Sequence, residues 1–303
     1  MHRCSAIVVT YNSAATIGAC LEALAREPCD IVVVDNASQD GTVQRVEDFV
    51  AWHELRLVAN ASNLGFAAAV NQGARETDAD VLLILNPDAV AEPGAINALM
   101  QCLQATQAGA AGGALLRDDG QPARGFAFRR LPTVTALIFE AILLNQLWSS
   151  NPVNRRYRCL DADYSRLQEI EQPAGACLAI TREAWHSAGG MDESFCPVWF
   201  EDVDFCKRLL NLSTKIVYCP AARFRHSGAH SVGQLSFRNK QVFWYANMLR
   251  YARKHFTAEQ VRSLRAGIFA GMLVRSFAAV LGARQGGLGE TLGAYWAALR
   301  EVR

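Results

Sequence analysis

The sequence is poor in the features that mark several large protein classes. Its 303 residues carry 30 Lys and Arg against 29 Asp and Glu, and this net charge of +1 argues against binding nucleic acid through bulk charge. With 9 prolines and 22 glycines, the composition excludes collagen-like and low-complexity chains. Because hydrophobic residues make up 51%, we expect a globular protein with one large α/β domain, or a smaller domain with an appendage.

Several motifs are also absent. Neither G-x-x-x-x-G-K-[ST] nor G-x-G-x-x-G follows the first predicted strand, which disfavours an ATPase or a dehydrogenase. The nine cysteines include no Cys-x-x-Cys pair, so neither a zinc site nor a disulfide framework is predicted, and a reducing compartment is the simplest interpretation. A strand-like run begins at Cys4, so no signal peptide is expected. The most hydrophobic stretch, 267–283, contains Arg275 and is shorter than a membrane span of roughly 20 residues, which predicts a buried or interfacial helix.

The first 120 residues alternate between short apolar runs and helix-compatible segments. Strands are predicted at 6–9, 31–34, 55–58 and 81–85. Helices are predicted at 13–26, 42–52, 66–75 and 93–104. This alternation is typical of a parallel sheet, whose ligands bind beyond the carboxyl ends of the strands. The polar residues expected at that edge are Thr10, Tyr11, Asn12, Asp35, Asn36, Asn60, Asn86 and Asp88.

The second half of the chain is more varied. Residues 121–170 are rich in arginine and show no clear period, which indicates a variable insertion or lid. Regular structure is then predicted as strands at 175–181, 215–218 and 222–225 and as helices at 182–188 and 201–211.

From residue 236 onward the pattern is helical and basic. Residues 238–303 hold eleven Lys and Arg against three Asp and Glu, so a basic tail follows an acidic body. We therefore predict a main domain over 1–235, with a nucleotide-binding half at 1–120 and a variable, acceptor-binding half at 121–235. A helical basic region is predicted over 236–303.

Two carboxylates follow buried strands of the first half. Asp35 could accept hydrogen bonds from a nucleobase or ribose, whereas Ser38 and Asp40 suit the cap of the next helix. Asp88, in Asn86-Pro87-Asp88, suits a hard cation that bridges a diphosphate. The alternative for this tripeptide is an ordinary turn.

Three acids open the predicted helix at 201–211, directly after the bulky pair Trp199 and Phe200. An acid at a helix start beside an apolar wall can act as a general base toward a hydroxyl, and Asp202 is the candidate. The alternative is that the acids complement the helix dipole. We expect Asp204 to be structural, because on a helix it points away from Asp202.

Two further segments carry candidate side chains. His226 follows a predicted strand and could bind a metal, or it could be an ordinary loop histidine. His230 would share its face only on a helix, and Gly228 argues against one. Asn63 fits a cap or turn and Gly65 permits close backbone approach, although a simple helix entry explains most of this segment.

Together these segments resemble the family 2 glycosyltransferases, which have the GT-A fold, and within them the rhamnosyltransferase-like branch that builds bacterial cell-surface polysaccharide. The likeness extends over about 5–255, and its strength lies in the order and spacing of the motifs. They are Val8-Val9-Thr10-Tyr11-Asn12, Val33-Val34-Asp35-Asn36 with Asp40-Gly41-Thr42, Asn63-Leu64-Gly65-Phe66, Leu85-Asn86-Pro87-Asp88, Gly175-Ala176-Cys177, Gly189-Gly190-Met191-Asp192-Glu193, Phe200-Glu201-Asp202-Val203-Asp204, and His226 with Gly228 and Ser231.

The resemblance assigns roles to these residues. It implies an α/β fold with a mainly parallel sheet and a nucleotide-sugar pocket formed by Thr10, Tyr11, Asn12, Asp35, Asn63, Gly65, Asn86 and Asp88. Asp88 would be the last carboxylate of the D-x-D motif, whose first position is Asn86 here, and it would bind Mg²⁺ or Mn²⁺ together with His226. Asp202 would be the catalytic base with Glu201 beside it, and the acceptor would contact Gly175, Trp199 and Phe200.

The same resemblance implies an inverting transfer of a sugar from a nucleoside-diphosphate donor to a hydroxyl of a glycan or lipid-linked glycan. The Asn-Pro-Asp form favours rhamnose from dTDP-rhamnose, and UDP-linked sugars remain open. A cytoplasmic enzyme is expected. The mixed basic and aromatic segments 237–245 and 250–255 either dock on the inner membrane surface or pack on the catalytic domain or on a second subunit of a homodimer.

Two other functions stay open at this point. A nucleotidyltransferase could use a similar sheet, although it would usually have a basic, glycine-rich phosphate loop near the N-terminus, and none is present. A non-catalytic sugar-nucleotide-binding or scaffold protein could keep the fold. The presence of Asp35, Asp88 and Asp202 favours an enzyme.

Overall fold

The computed structural model describes residues 3–226, 228, 233, 235–282 and 288–302, with side chains to residue 300. A sheet of nine strands forms the centre of this part of the chain. The strands are β1 (Cys4–Thr10), β2 (Asp30–Asp35), β3 (Arg56–Ala59), β4 (Val81–Leu85), β5 (Ala89–Ala91), β6 (Ala110–Leu116), β7 (Phe128–Arg129), β8 (Gln168–Glu169), β9 (Gln172–Pro173), β10 (Cys177–Thr181) and β11 (Ile216–His226), of which β7 and β9 pair separately.

The sheet has a parallel half and a mixed half. Its order is β3-β2-β1-β4-β10-β6-β11-β5, with β8 beside β11. Strands β1 to β4 are parallel, as the sequence predicts, and β1 and β4 are buried along their whole length because helices cover both faces. Strand β10 runs antiparallel between β4 and β6, and it brings the segment before it to the carboxyl end of β4.

The helices flank this sheet. They are α1 (Ile17–Leu24), α2 (Thr42–Val50), α3 (Phe66–Arg75), α4 (Ala95–Thr106), α5 (Val134–Ala141), α6 (Leu144–Leu147), α7 (Pro152–Tyr157), α8 (Arg182–Ala188), α9 (Glu201–Asn211), α10 (Phe237–His255), α11 (Ala258–Val280) and α12 (Leu288–Val302). The predicted bounds of α3 and α9 are confirmed. Helix α3 lies close on β1, since a Cβ on Gly73 would come within 2.5 Å of the Ile7 side chain.

A second hydrophobic cluster lies where the C-terminal helices meet the end of the sheet domain. It combines Tyr245, Met248 and Tyr251 of α10 with Phe195 and Phe200, which precede α9. Helices α11 and α12 join the same cluster, and α11 also packs on α5. The helical character predicted from 236 onward is therefore confirmed for α10, α11 and α12, and these helices share a core with the loop before α9.

Candidate functional site

The loop after β1 and the loop after β2 are joined by buried hydrogen bonds. Thr10 Oγ1 donates to Asp35 Oδ1 over 2.8 Å, and the backbone N–H of Ser38 donates to Asp35 Oδ2 over 2.8 Å. Asp35 is only 1% exposed. Its carboxylate therefore joins the loop after β1 to the loop after β2, and a contact between Asp35 and a nucleobase stays a prediction.

The neighbouring residues set the entrance of this pocket. Asn12 has a left-handed backbone with φ 49°, its N–H donates to Ser38 Oγ, and its Oδ1 accepts from the N–H of Gln39 over 2.7 Å. Tyr11 is partly exposed beside it. Asp40 accepts from the N–H groups of Thr42 and Ala14, which agrees with the turn-and-cap role considered for it. The strand ends thus present a polar rim, as expected of the carboxyl edge of a parallel sheet.

Gly65 lies where the loop after β3 meets the loop before α9. Its φ is 90°, and a Cβ there would approach Cys196 Sγ to 3.1 Å, so both the backbone and the space require glycine. Asn63 Oδ1 accepts from the Gly65 N–H over 2.9 Å, and the Phe66 N–H donates to the carbonyl of Pro197 over 2.8 Å. The loop at Asn63 and Gly65 is therefore held against the segment that leads to Trp199.

Asp88 and His226 form a buried pair at the edge of the sheet. Strand β5 pairs with β11 so that Ala89 lies opposite His226, which brings His226 Nε2 to 3.3 Å from Asp88 Oδ1. Both side chains are about 5% exposed, at 5% for His226 and 4% for Asp88, and the Phe126 ring stacks on the imidazole with centroids 5.3 Å apart. Among the described residues the buried Nε2 atom forms no hydrogen bond, although it lies within ion-pair distance of Asp88.

This arrangement fits a divalent cation. A carboxylate oxygen and an imidazole nitrogen are both common metal ligands. Within the described residues no group of three or more His, Cys, Asp or Glu could hold a metal, so Asp88 and His226 are two candidate ligands and do not form a complete site. His230 and Ser231 lie outside the described residues.

Asp202 lies at the start of α9 and is held from three sides. Its Oδ2 accepts from Gln172 Nε2 and from the N–H of Gly175, each over 3.0 Å, and its Oδ1 accepts from the N–H of Val203. Burial raises the pKa of Asp202 above its ordinary value, and the hydrogen bonds from Gly175 and Val203 and the charge of Arg129 only partly oppose this. A carboxylate with a raised pKa is a stronger base than an exposed one.

Glu201 has a different environment. It is 5% exposed, and its Oε2 has no hydrogen-bond partner among the described residues. Burial, followed by the nearby charge of Asp202, raises the pKa of Glu201 well above its ordinary value. The two neighbouring acids therefore differ, because Asp202 is held by three hydrogen bonds whereas Oε2 of the desolvated Glu201 has none among the described residues.

Asp204 is buried and ties α9 to α10, so the structural role expected for it is confirmed. It is 0% exposed and accepts from Arg208 Nε over 2.8 Å, from Lys254 Nζ over 3.0 Å and from His255 Nε2 over 2.7 Å. Burial acts to raise the pKa of Asp204, but the hydrogen bonds from His255, Lys254 and Arg208 outweigh it and lower the pKa.

The aromatic pair before α9 has an unusual backbone. Trp199 and Phe200 have φ 78° and 73°, which is rare for large side chains. Phe200 is 4% exposed and packs between Trp244 and Tyr251 of α10, whereas Trp199 is half-buried and meets Trp244 edge-on. Trp199 is therefore the member of the pair that an acceptor could touch, and Phe200 supports it from inside.

Gly175 and Asn86 connect the parts of the site. The Asn86 N–H donates to the carbonyl of Ala176 over 3.1 Å, which places the Asp88 loop beside the segment that holds Asp202. The nearest atoms to a Cβ on Gly175 would be those of the Asp202 side chain, from 3.2 Å. Gly175 therefore helps to hold Asp202 in position. A contact between Gly175 and an acceptor stays a prediction.

The sequence analysis missed several residues that shape the site. Gln172 binds Asp202, Phe126 stacks on His226, and Arg129 contributes positive charge near Asp202. Asn247 of α10 is 0% exposed, and its Nδ2 donates to the carbonyl of Val198 over 2.8 Å. The signal for Asn247 was that it is a polar residue inside the apolar stripe of α10. Phe126 and Arg129 lie in the segment 121–170, which has no clear period, and Gln172 lies just after that segment.

Comparisons with known proteins place the chain in a family. Residues 5–157 match the profile described as Glycosyl transferase family 2. The chain is 31% identical over 246 residues to the N-acetylglucosaminyl-diphospho-decaprenol L-rhamnosyltransferase of Mycobacterium tuberculosis, covering 75% of this chain and 77% of that protein. It is 23% identical to the rhamnosyltransferase WbbL of Escherichia coli over 195 residues, covering 64% and 69% of the two chains.

Solved structures share the fold at low identity. The mannosyltransferase PcManGT from Pyrobaculum calidifontis, in complex with GDP-Man and Mn²⁺, superposes with a TM-score of 0.58 at 16% identity and covers 99% of this chain and 84% of its own. Residues 1–349 of TarS from S. aureus, in complex with UDP-GlcNAc, give a TM-score of 0.57 at 15% identity and cover 98% of this chain and 81% of their own.

Proposed function

The chain belongs to glycosyl transferase family 2, and from this premise we propose that it transfers a sugar with inversion, using Asp202 as the general base. It is a glycosyltransferase of rhamnosyltransferase-like type and has the GT-A fold expected from its sequence. The details of donor, acceptor and mechanism below are parts of the proposal.

The environment of Asp202 is the observation that carries the proposal. An acceptor hydroxyl is a poor nucleophile until a base removes its proton in the transition state. Asp202 has a raised pKa and is fixed by Gln172 and Gly175 close to Trp199, which forms one wall of the site. In the proposed reaction Asp202 takes the proton as the hydroxyl oxygen attacks the anomeric carbon, and the bond to the donor diphosphate breaks on the opposite side.

The diphosphate side of the site is proposed to lie at Asp88 and His226. The proximity of His226 Nε2 and the Asp88 carboxylate, 3.3 Å apart, and the lack of a hydrogen bond to Nε2 among the described residues support a cation at this place. A bound Mg²⁺ or Mn²⁺ would stabilise the negative charge of the departing nucleoside diphosphate. Thr10, Tyr11, Asn12, Asp35, Asn63 and Gly65 would surround the nucleotide. Asp35 and Thr10 keep the shape of that pocket through their mutual hydrogen bond.

The relatives suggest the chemistry of both substrates. We propose a nucleoside-diphosphate rhamnose, linked to dTDP in preference to UDP, as the donor, because two rhamnosyltransferases are among the similar proteins. The name of the mycobacterial relative contains a lipid-linked diphosphate sugar, and a lipid-linked glycan is the proposed acceptor here. Such an acceptor is consistent with a cytoplasmic enzyme that contacts the inner face of the membrane.

The test separates donor binding from chemistry. Thermal unfolding of the wild type would be followed with dTDP-rhamnose, UDP-GlcNAc and GDP-mannose, each with and without Mn²⁺. A ligand at a hundred times its dissociation constant adds roughly 2.7 kcal/mol to the apparent stability of the native state. We expect the largest shift for dTDP-rhamnose with Mn²⁺. In Asp202→Asn that shift should persist while transfer to a lipid-diphosphate GlcNAc acceptor falls by about 10³-fold or more.

The matched control is Asp192→Asn, which changes a partly exposed acid outside the site and should keep both properties. Proton NMR of the product would report inversion or retention at the anomeric carbon. If Asp202→Asn transferred sugar at the wild-type rate, Asp202 would not be the base. If no sugar nucleotide stabilised the wild type, the donor site would be wrong and the non-catalytic alternative would gain weight.

A further inference from the structure

Helix α11 has one face that nothing in the described chain covers. From Ala266 to Leu281 every exposed position on this face is apolar. We call six of these residues the apolar ridge, and Phe277 and Leu281 are the most exposed of them, at 67% and 72%. The apolar ridge consists of Phe269, Leu273, Val274, Phe277, Val280 and Leu281.

The apolar ridge is continuous. At 100° per residue its members fall within an arc of about 140°, and at 1.5 Å per residue they span roughly 20 Å of the surface. Single exposed apolar side chains are normal on soluble proteins, but a contiguous stripe of this length marks an interaction surface.

The charged residue within this stretch does not interrupt the ridge. Arg275 turns inward and donates to the carbonyl of Ala141 at the end of α5 and to that of Gly271. Its guanidinium also lies 5.9 Å from the Tyr245 ring centre. Arg275 is therefore used inside the protein, where it satisfies carbonyls that the end of α5 leaves unpaired.

The opposite face of α11 is packed into the protein. Leu264, Ile268 and Met272 are fully buried, and a Cβ on Gly271 would come within 2.0 Å of the Ala141 carbonyl oxygen. By length and composition α11 could cross a membrane, with a mean hydropathy of 1.3 over its best window and 28% of that window buried. In this fold, however, its buried face is occupied by α5, α10 and α12, so α11 can offer only its outer face.

We propose that the apolar ridge docks this enzyme in the plane of an anionic lipid bilayer. The C-terminal region that carries the ridge is basic by composition, since residues 238–303 hold eleven Lys and Arg against three Asp and Glu. On the ridge's own side of α11 the exposed charges are Arg262, two turns before Phe269, and Glu259. Apolar insertion with a basic surround is the pattern of helices that lie in a membrane interface. A second copy is less suitable, because a two-fold contact would bring together two C-terminal regions that each carry net positive charge.

This surface differs from the one that the sequence suggested. The segment 250–255 was a candidate for docking, but Tyr251 is buried, and Lys254 and His255 bind Asp204. That segment therefore packs on the catalytic domain, which was the stated alternative. Docking through the apolar ridge would bring the site to a lipid-linked acceptor. In this respect it rests on the proposed function.

The experiment uses vesicles and does not depend on activity. Full-length wild type would be sedimented with vesicles of phosphatidylglycerol and phosphatidylethanolamine, and with vesicles of phosphatidylcholine. The test variant is the double substitution Leu273→Ser with Phe277→Ser. The matched control is Trp52→Ser with Leu212→Ser, which removes two side chains that are 86% and 51% exposed elsewhere on the surface. All four substituted positions are exposed, so folding should be preserved.

We expect wild type and control to bind the anionic vesicles alike, and the ridge variant to bind at least tenfold more weakly. Unchanged binding by the ridge variant would overturn the proposal, and so would a wild type that stays in solution. If light scattering showed a dimer that only the ridge variant loses, a second copy would be the occupant instead. Equal binding to phosphatidylcholine would remove the anionic requirement.

The failure of this proposal can be told apart from failure of the proposed function. The stabilisation by dTDP-rhamnose and Mn²⁺ reports on the donor site. It should be equal in the wild type and the ridge variant, because none of the residues proposed to bind the donor lies on α11. Loss of that stabilisation in the wild type would contradict the proposed donor while leaving vesicle binding as an independent result.

Discussion

Adding a single methyl group at Gly175 tests whether the position of Asp202 controls the rate. The new Cβ in Gly175→Ala would lie 3.2 Å from Asp202 Cβ and 3.3 Å from its Oδ2. The backbone of Gly175 is not left-handed, so alanine adds no backbone strain there. The substitution therefore acts almost entirely on the side chain of Asp202.

The size of the effect follows from this crowding. Ordinary carbon contacts begin near 3.5 Å, so the Asp202 side chain must move by a few tenths of an ångström. Gln172 and the N–H of Val203 hold the same carboxylate, and its movement strains both hydrogen bonds. Because a displacement of about 1 Å can cost roughly 10²-fold in rate, we expect kcat to fall by about tenfold, or ~1.4 kcal/mol. Overpacking should lower the stability by about 1 kcal/mol.

The assay is steady-state transfer at saturating acceptor, together with thermal unfolding. The KM for the donor should stay within about twofold, since other residues are proposed to form the nucleotide pocket. Gly18→Ala is the matched control, because its Cβ would meet nothing within 4 Å and it lies inside α1. This control should keep the wild-type kcat and gain up to ~1 kcal/mol of stability.

The reasoning would be refuted if Gly175→Ala lost stability but kept the full kcat. That result would mean that the rate is insensitive to a displacement of Asp202. A general base must stay within hydrogen-bond reach of its substrate, so its displacement should slow the reaction. A fall in kcat in the Gly18 control as well would point to a general effect of the added methyl groups on the fold, and not to Asp202.

Three further predictions concern charge. Burial raises the pKa of Glu201 in the folded state. The stability linked to Glu201 is therefore complete below its unfolded pKa of roughly 4.3 and declines as the pH rises above that value. Because Gln stays neutral at every pH, Glu201→Gln should raise Tm more at pH 8 than at pH 4. Asp204 has a lowered pKa, because hydrogen bonds from basic groups outweigh its burial, so its contribution exists at pH 7 and is lost in acid. Asp204→Asn should thus cost about 3 kcal/mol in urea unfolding at pH 7 and less at pH 3. Asp192 also accepts from Lys254, but its side chain is 31% exposed, and Asp192→Asn should cost under ~1 kcal/mol. His226→Ala should abolish most of the Mn²⁺-dependent part of the stabilisation by dTDP. The control His186→Ala, which changes an exposed histidine, should keep that stabilisation. Equal thermal shifts in both variants would exclude His226 as a ligand of the metal.

The parallel half of the sheet could be predicted because its signals are local. Apolar runs of strand length alternate there with helix-compatible segments, and 66–75 even has the helix bounds of the structure. Strand β6 was missed because its sequence contains Gly112 and Gly113, which weaken a strand pattern. The structure needs both glycines, since a Cβ would come within 2.4 Å of Pro173 at the first and 2.8 Å of Phe224 at the second.

The antiparallel placement of β10 could not be read from the sequence. A strand at 175–181 was predicted, but its position between β4 and β6 depends on contacts between distant segments. In the candidate site, the acids Asp88 and Asp202 were predictable because of their positions after strands and at a helix start. Gln172 was not, because it lies in a two-residue strand that carries no periodic signal.

The backbone of Trp199 and Phe200 has a consequence for protein engineering. A large residue in the left-handed region lowers the stability of the fold by about 1–3 kcal/mol, and here there are two such residues. Such a conformation persists only where the surrounding structure enforces it. Here the enforcement comes from Trp244 and from Asn247, both in α10.

A chimera that joins residues 1–235 of this chain to the C-terminal helices of a relative would therefore split one structural unit. The entry to α9 would lose the aromatic and amide partners that hold it in place, and Asp202 would move with it. Acceptor specificity should be exchanged between relatives with 195–256 as a single block, because that block contains both the strained turn and the helix that enforces it.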